Sequence, residues 1–356
     1  VTGRGTSSDV TLPVFSFPDK LVTDGGYSAT IKKSELPLPS SGTVPATPYT
    51  KHFNASSTPM TVNENVPTEI LAVKDAEVSG VVTVSLKTTS GKATLSDLTI
   101  DFPDYLEFAD VKETGMNFNQ NGNILTIKST QVTKTAKNYH LNIVGIDFDK
   151  IPSGEGFLPS QHKIVLNDEI KLGAFDVNAV LSDFGATVAA IPNEISADID
   201  MSISSLIVKS ALVKVNPRIV IEPFISNVGT LPDFVSGDDV VLDLYNPALK
   251  IDIDNRTPLT LNLNADIMSY KGADRRSAHV GNANGGKAVT LSPSGMNRLY
   301  ISRTGEGVPT GFTSVVVPDL SSLISIVPDR IGMENIDVEA ADEFVTLTSG
   351  GRYNIV

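Results

Sequence analysis

The stretch 240–267, VVLDLYNPALKIDIDNRTPLTLNLNADI, alternates apolar and polar residues with a period that excludes a helix. Leu249, Ile251 and Ile253 alternate with Lys250, Asp252 and Asp254. Leu259, Leu261, Leu263, Ala265 and Ile267 then alternate with Thr260, Asn262, Asn264 and Asp266. A period of two puts one apolar face on a core and one polar face in water, which predicts half-buried antiparallel strands. Apolar parity is even before Asn246-Pro247 (Val240, Leu242, Leu244) and odd after it. This pair is therefore expected to turn the chain between two strands. Asn255-Arg256-Thr257-Pro258 is the next expected break.

The rest of the chain varies this pattern. Residues 10–20, cut by Pro13 and Pro18, suit only an edge strand, and 36–48 reads as a surface loop. Val82, Val84 and Leu86 share a face before a turn at Ser90-Gly91; Leu98, Ile100 and Phe102 form another strand, closed by Pro103. Asn121-Gly122 predicts a hairpin within 115–129, with Leu125 and Ile127 inward. Tyr139, Leu141 and Ile143 keep one parity, which slips at Gly145 before Ile146 and Phe148; a glycine at a phase slip predicts a β-bulge. Residues 164–172 read as a hairpin across Asn167-Asp168. Ile195, Ala197, Ile199, Met201 and Ile203 form a long strand, followed after a slip at Ser204-Ser205 by the β-branched run 206–221. Leu320, Leu323, Ile324 and Val327 give the one helical signature, with Asp319 as N-cap and Pro328 as stop. Ile336 with Val338, and Val345 with Leu347, close the chain as strands.

Many short strands between Gly, Pro and Asn turns predict an all-β fold: two tandem β-sandwich, immunoglobulin-like domains with at most one or two short helices. The 356 residues accommodate two such domains at roughly 150 residues each. The expected division is a flexible N-terminal tether over 1–18, an N-terminal sandwich over 19–215 and a C-terminal sandwich over 216–356.

A net charge of −13 opposes nucleic acid as a partner, since phosphate binding needs clustered Lys and Arg, and the only local basic cluster, 271–276, is short. The absence of cysteine excludes disulfides, zinc-thiolate sites and a thiol nucleophile. It also fits an exported bacterial chain better than a secreted eukaryotic one. No apolar run reaches the ~20 residues of a membrane span. The Gly/Ser/Thr-rich residues 1–9 and a start at Val1 suggest that a signal peptide and a lipid-modified cysteine once preceded them; a trimmed tag or a frayed end is the ordinary alternative.

Motifs for chemistry are sparse. Gly281-Asn-Ala-Asn-Gly-Gly-Lys287 has P-loop spacing, but Ala288 stands where Ser or Thr is needed, and Val289 and Leu291 predict a strand rather than a helix start. It reads as a flexible hairpin loop. The Asp-x-Asp pairs Asp147/Asp149, Asp198/Asp200 and Asp252/Asp254 have the spacing of a solvated strand face. Asp238 and Asp239, in a loop, are the better-placed candidates for a calcium ligand set, with a plain turn as the alternative. No metal site is predicted beyond that weak pair, and no cofactor. The four histidines, His52, His140, His162 and His279, lack metal-ligand spacing, and His140 is expected to point to solvent. No serine sits in a Gly-x-Ser-x-Gly elbow, and Ser292-Pro293-Ser294-Gly295 lacks its first glycine. No catalytic residue is assigned, and the chain is expected not to be an enzyme. With no Trp, a sugar platform would fall to Tyr245, Tyr270, Tyr300 or Tyr353.

Residues 231–255, LPDFVSGDDVVLDLYNPALKIDIDN, resemble a segment of uncharacterised cell-surface lipoproteins of Bacteroidetes-type bacteria, in which a Leu-Pro-Asp-Phe connector precedes an Asp-Leu-x-Asn-Pro turn. LTIDFPDYL at 98–106 and IVPDRI at 326–331 look like the same group. Asn246-Pro247 followed by Ile251, Ile253 and Asn255 is also similar to late-embryogenesis-abundant type 2 domains, small immunoglobulin-like sandwiches. The resemblance implies an exported protein, lipid-anchored at the cell surface or outer membrane, with β-sandwich domains and no established activity. The lipidation cysteine of that group lies outside this chain. The first expectation is thus a non-enzymatic surface lipoprotein for adhesion or envelope assembly, with a protein or glycan partner. The alternatives are a glycan- or small-ligand-binding lipoprotein for nutrient capture and a cryptic hydrolase.

Overall fold

The computed structural model describes residues 7–10, 12–13, 15–18, 20–111, 114–229, 240–282 and 288–356. Within them the fold is all-β, with sandwich layers of sheet, a single α-helix and a few 3-10 turns. Two compact units divide the chain between Leu212 and Val213. The C-terminal unit also takes Val1–Pro13 and Glu69–Leu71.

The N-terminal unit is built on neighbouring strands in the order Lys20–Lys32, Glu194–Ser204, Ile70–Thr88, Lys137–Asp147 and Leu106–Phe108. A second sheet runs Gly156–Leu158, Lys163–Leu172, Leu98–Asp101, Ile124–Ile127 and Met116–Asn119, with Ser56–Asn65 also on Lys163–Leu172. A third runs Thr130–Val132, Ala93–Leu95, Phe175–Val180 and Pro48–Phe53. The alternation read in the sequence forms the core: Val82, Val84, Leu86, Leu98, Ile100, Leu125, Ile127, Leu141, Ile143 and Ile199 are all buried. Each such side chain stabilises by about 1.5–3 kcal/mol, enough to offset the ~1–2 kcal/mol of backbone entropy lost per residue. Tyr27, Phe53 and Phe175 close one end as an aromatic cluster, with Phe53 stacked on Phe175 at 5.6 Å.

Among the described residues, two sheets lie wholly within the C-terminal unit. One runs Ser8–Val10, Tyr353–Ile355, Ala248–Asn255, Gly295–Ser302 and Thr313–Val316; the other runs Phe224–Asn227, Arg330–Ala340, Leu261–Lys271 and Asp274–Val280, with Val289–Leu291 beside Leu261–Lys271. The pair Gly295–Ser302 and Thr313–Val316 is parallel. Leu261, Leu263, Ala265 and Ile267 are buried as their spacing predicts.

Five expectations need correction. The described part of the N-terminal stretch is not a free tether: Ser8–Val10 pairs antiparallel with Tyr353–Ile355, and Leu12, Phe15 and Phe17 are buried in irregular chain rather than an edge strand. The C-terminal unit therefore recruits earlier pieces of chain, since Asn216 N–H also donates to the Glu69 carbonyl at 2.8 Å. Asn167-Asp168 is no turn, because Lys163–Leu172 is one strand paired from Asn65 to Ser56. Residues 240–244 form no strand: pairing on Gly295–Ser302 ends at Ala248↔Ser302, and a loop follows, so residues before Ala248 find no edge. The helix covers only Leu320–Ile324, and the Asp319 side chain does not cap it. Instead Ser322 Oγ donates to the Asp319 carbonyl at 2.7 Å.

Candidate functional site

The phase slip at Gly145 builds a cleft in the N-terminal unit. Between Ile143 and Gly145 the strand Lys137–Asp147 shifts register against both of its neighbours, Ile70–Thr88 and Leu106–Phe108. The bulge keeps Ile143 and Ile146 buried but turns Val144 outward to 39% exposure. Gly145 has no Cβ, and Glu107 occupies the space: a Cβ there would stand 2.4 Å from Glu107 Oε2. The bulge therefore places the Glu107 carboxylate across the bare backbone.

The opposite wall is the hairpin of Met116–Asn119 and Ile124–Ile127, paired at Asn119↔Ile124. Gly122 at φ +90° and Asn123 at φ +48° make its tip, which explains the Asn-Gly signal. The buried Asn123 amide donates to the Pro103 carbonyl at 2.9 Å and the Leu106 carbonyl at 2.7 Å, tying the tip to the Pro103–Leu106 turn. Phe108 lies between Phe102 and Phe118, at 5.1 and 5.0 Å, and stiffens the floor.

The resulting cleft has a volume of about 860 Å³ and presents Asp104, Glu107, Gln120, Asn121 and Lys150 beside Val144 and Phe108. That volume lies in the range of small-ligand sites. Lys150 is paired with Asp147 at 3.1 Å. This hydrogen bond, with the Asp147, Glu107 and Asp104 charges, outweighs desolvation and holds the ammonium above the usual lysine range. Gln120 Nε2 donates to Asp110 at 3.2 Å, which orients its amide. Two carboxylates, two side-chain amides and an ammonium supply both acceptors and donors for ligand hydroxyls.

The residues singled out in the sequence lie elsewhere. Asp198 accepts from Ser28 at 2.6 Å and Asp200 pairs with Lys87 at 3.1 Å. Asp147 takes Lys150, Asp149 lies 3.8 Å from Lys74, and Asp254 takes Arg256. Among the described residues no three His, Asp or Glu side chains gather as a metal site. Asp238 and Asp239, the Leu231–Phe234 connector and most of the glycine-rich loop at 281–287 lie outside the described residues. Ser292–Gly295 is a turn, in which Ser294 N–H donates to the Thr257 carbonyl.

His140 is exposed, and His52 pairs with Asp176 at 2.8 Å on the surface. His279 is half-buried and meets Asp266 at 2.8 Å through Nδ1. Its Nε2 is buried, and among the described residues no hydroxyl bonds it. Burial pushes the Asp266 carboxyl up, but hydrogen bonds from Asn335 and His279 outweigh this and hold it below the usual range. Of the tyrosines, Tyr245 is exposed and Tyr300 half-buried, while the Tyr270 hydroxyl donates to the Glu334 carboxylate. Sequence reasoning assigned no binding role to any cleft residue, although it identified both devices that build the cleft, Gly145 and Asn121-Gly122.

No family model matches the chain, and no curated protein matches it by sequence. Among solved structures it is similar to a protein of Parabacteroides distasonis ATCC 8503 that is provisionally described as secreted. The identity is 9%, the match covers 99% of this chain and 96% of that one, and the TM-score is 0.23. It is also similar to the N-terminal CBM22-1–CBM22-2 tandem domain of Paenibacillus barcinonensis Xyn10C, at 8% identity over 95% of this chain and 100% of that one, with a TM-score of 0.18. At such scores neither likeness carries an argument about fold or function.

Proposed function

We propose that the chain is an exported, non-enzymatic binding protein of a bacterial cell surface, whose N-terminal unit takes a neutral polyhydroxylated ligand such as a short oligosaccharide. The observation that carries this is the cleft: its acceptors and donors line a volume in the range of small-ligand sites, and the bare backbone at Gly145 leaves room for Glu107 within it. Asp104 and Glu107 disfavour an anionic ligand there. Export and lipid anchoring belong to the same reading and rest on the resemblance of residues 231–255. Titrating purified protein with a panel of neutral oligosaccharides tests the binding claim. Binding that falls at least tenfold in Glu107→Gln and Asn121→Ala is expected; a panel with no binder, or binding indifferent to both changes, overturns it. Recovery of the protein in the cytosolic fraction overturns the export claim.

A second reading, docking of an envelope protein or adhesion partner, has one observation of its own. Val241 and Tyr245 are 76% and 72% exposed, with Leu244 beside them, a concentration of apolar surface that favours an interaction site. Substituting all three by Ser in the purified, unanchored chain is expected to abolish co-purification with detergent-solubilised envelope proteins, if that surface does the docking. Unchanged co-purification removes this reading.

A further inference from the structure

The C-terminal unit carries a second surface, on the polar face of the strand that gave the sequence its clearest pattern. Lys250 stands directly opposite Tyr300, and Asp252 opposite Arg298, across the pair Ala248–Asn255 and Gly295–Ser302. On the parallel strand Thr313–Val316, Ser314 stands opposite Tyr300. Phe312 immediately precedes that strand, with the Lys250 ammonium 5.5 Å from its ring centre. Two neighbouring cross-strand rows thus bring together two aromatic rings, an ammonium, a guanidinium, a carboxylate and a serine hydroxyl.

The loop between the parallel strands frames these rows. Gly305, Gly307 and Gly311 have φ of +77°, +72° and +83°, a conformation that only glycine adopts without strain. Gly305 packs so closely that a Cβ would stand 2.9 Å from Val316 Cγ2, and one at Gly307 would lie 3.8 Å from the Tyr300 hydroxyl. Asn246 holds the loop from the other side. Its Oδ1 accepts from Thr304 N–H at 3.0 Å, and its Nδ2 donates to the Glu306 carbonyl at 3.3 Å. Arg303 Nη1 donates to the Tyr245 carbonyl at 3.3 Å. The Asn-Pro pair read as a strand turn is therefore a clamp, and the loop it clamps has a built shape.

This surface brings three cations together in a chain whose net charge is −13. Among the described residues, Lys250, Arg298 and Arg303 take part in no ion pair, whereas Asp254 beside them is already taken by Arg256. Two carboxylates also face this region, Asp252 opposite Arg298 and Glu306 on the loop.

We propose that this face binds an acidic glycan, a polysaccharide carrying uronate carboxylates. Tyr300 and Phe312, both half-buried and the latter with one face already covered by Lys250, offer the remaining ring surface, whose negative quadrupole attracts the C–H face of a sugar ring. Arg298 and Lys250 take a uronate carboxylate by charge-assisted hydrogen bonds, the guanidinium in bidentate fashion. Asp252 and Glu306 accept hydroxyls and repel densely charged chains, so the site selects one carboxylate per sugar over a sulfated polymer. This site does not depend on the N-terminal cleft, which its own carboxylates close to uronates.

The test titrates the full chain at fixed ionic strength with polygalacturonate, its fully methyl-esterified form and dextran sulfate. Binding of polygalacturonate is expected, weakened at least tenfold by methyl esterification, by Lys250→Glu and by Phe312→Ala. Lys250 and Phe312 are chosen because neither is buried, so the variants fold; melting curves check this. Absence of polygalacturonate binding overturns the proposal, as does equal binding of the esterified polymer. Equal binding of dextran sulfate with no effect of Phe312→Ala overturns it too, because contact with any polyanion explains that result.

Discussion

Asn255 is fully buried, and its amide makes four hydrogen bonds. Nδ2 donates to the Leu259 carbonyl at 2.9 Å and the Ser292 carbonyl at 3.1 Å, while Oδ1 accepts from Thr257 N–H at 3.1 Å and Thr257 Oγ1 at 2.7 Å. Asn255→Ala leaves these groups unpaired in a dry site and is expected to cost about 2–4 kcal/mol. Urea denaturation measures it, and a loss under about 1 kcal/mol would contradict the account. The sequence shows a break at Asn255 but not its burial, because polar residues between strands look alike whether they face water or lock two turns together. Asp266 carries a second prediction at this scale. Its folded pKa lies below the unfolded value of about 4, so its contribution is present above that value and lost as pH falls through the folded pKa. Asp266→Asn is therefore expected to flatten the fall in stability of the C-terminal unit below about pH 4. Parallel acid-stability curves for the two proteins would sink this.

The strand Lys137–Asp147 joins a sequence signal directly to the cleft. Gly145→Val puts side chain where Glu107 lies, 2.4 Å from its carboxylate and 3.3 Å from its Cβ. The carboxylate end can swing away, so the expected cost is modest, about 1–2 kcal/mol, with loss of saccharide binding. Adding Glu107→Ala to Gly145→Val should restore melting temperature but not binding; a double variant no more stable than the single one counts against the packing. The bulge was legible because buried parity changes at Gly145. The same test, applied strictly, also shows why Asn167-Asp168 misleads. Ile164, Leu166, Ile170 and Leu172 are all buried at one parity, so nothing re-phases there and turn-forming residues alone do not make a turn. Residues 240–244 alternate correctly and still form no strand, because alternation prepares a strand for pairing but supplies no edge to pair with. The cleft itself was not legible: Asp104, Glu107, Gln120 and Lys150 come together only through tertiary structure.

At the scale of the whole molecule, the C-terminal unit is discontinuous in sequence. Period-two patterning locates strands but does not say which distant strands pair, so a serial division was the natural expectation. The fragment 213–356 lacks Ser8–Val10 and Glu69, and keeps Tyr353–Ile355 in register only at Asn255↔Ile355. It is expected to melt below the intact chain's C-terminal transition, with fast amide exchange at 353–355; an unchanged melt and protected amides would refute this. The pairing of Ser8 with Ile355 also has a mechanical consequence. Polypeptide entering before Ser8 and leaving after Ile355 does so from one end of an antiparallel ribbon, so tension between the two flanks peels the ribbon open one rung at a time. A load shared along its length would need the two flanks at opposite ends. Under traction from both sides this seam is the place to yield first, long before the buried sheets feel the strain.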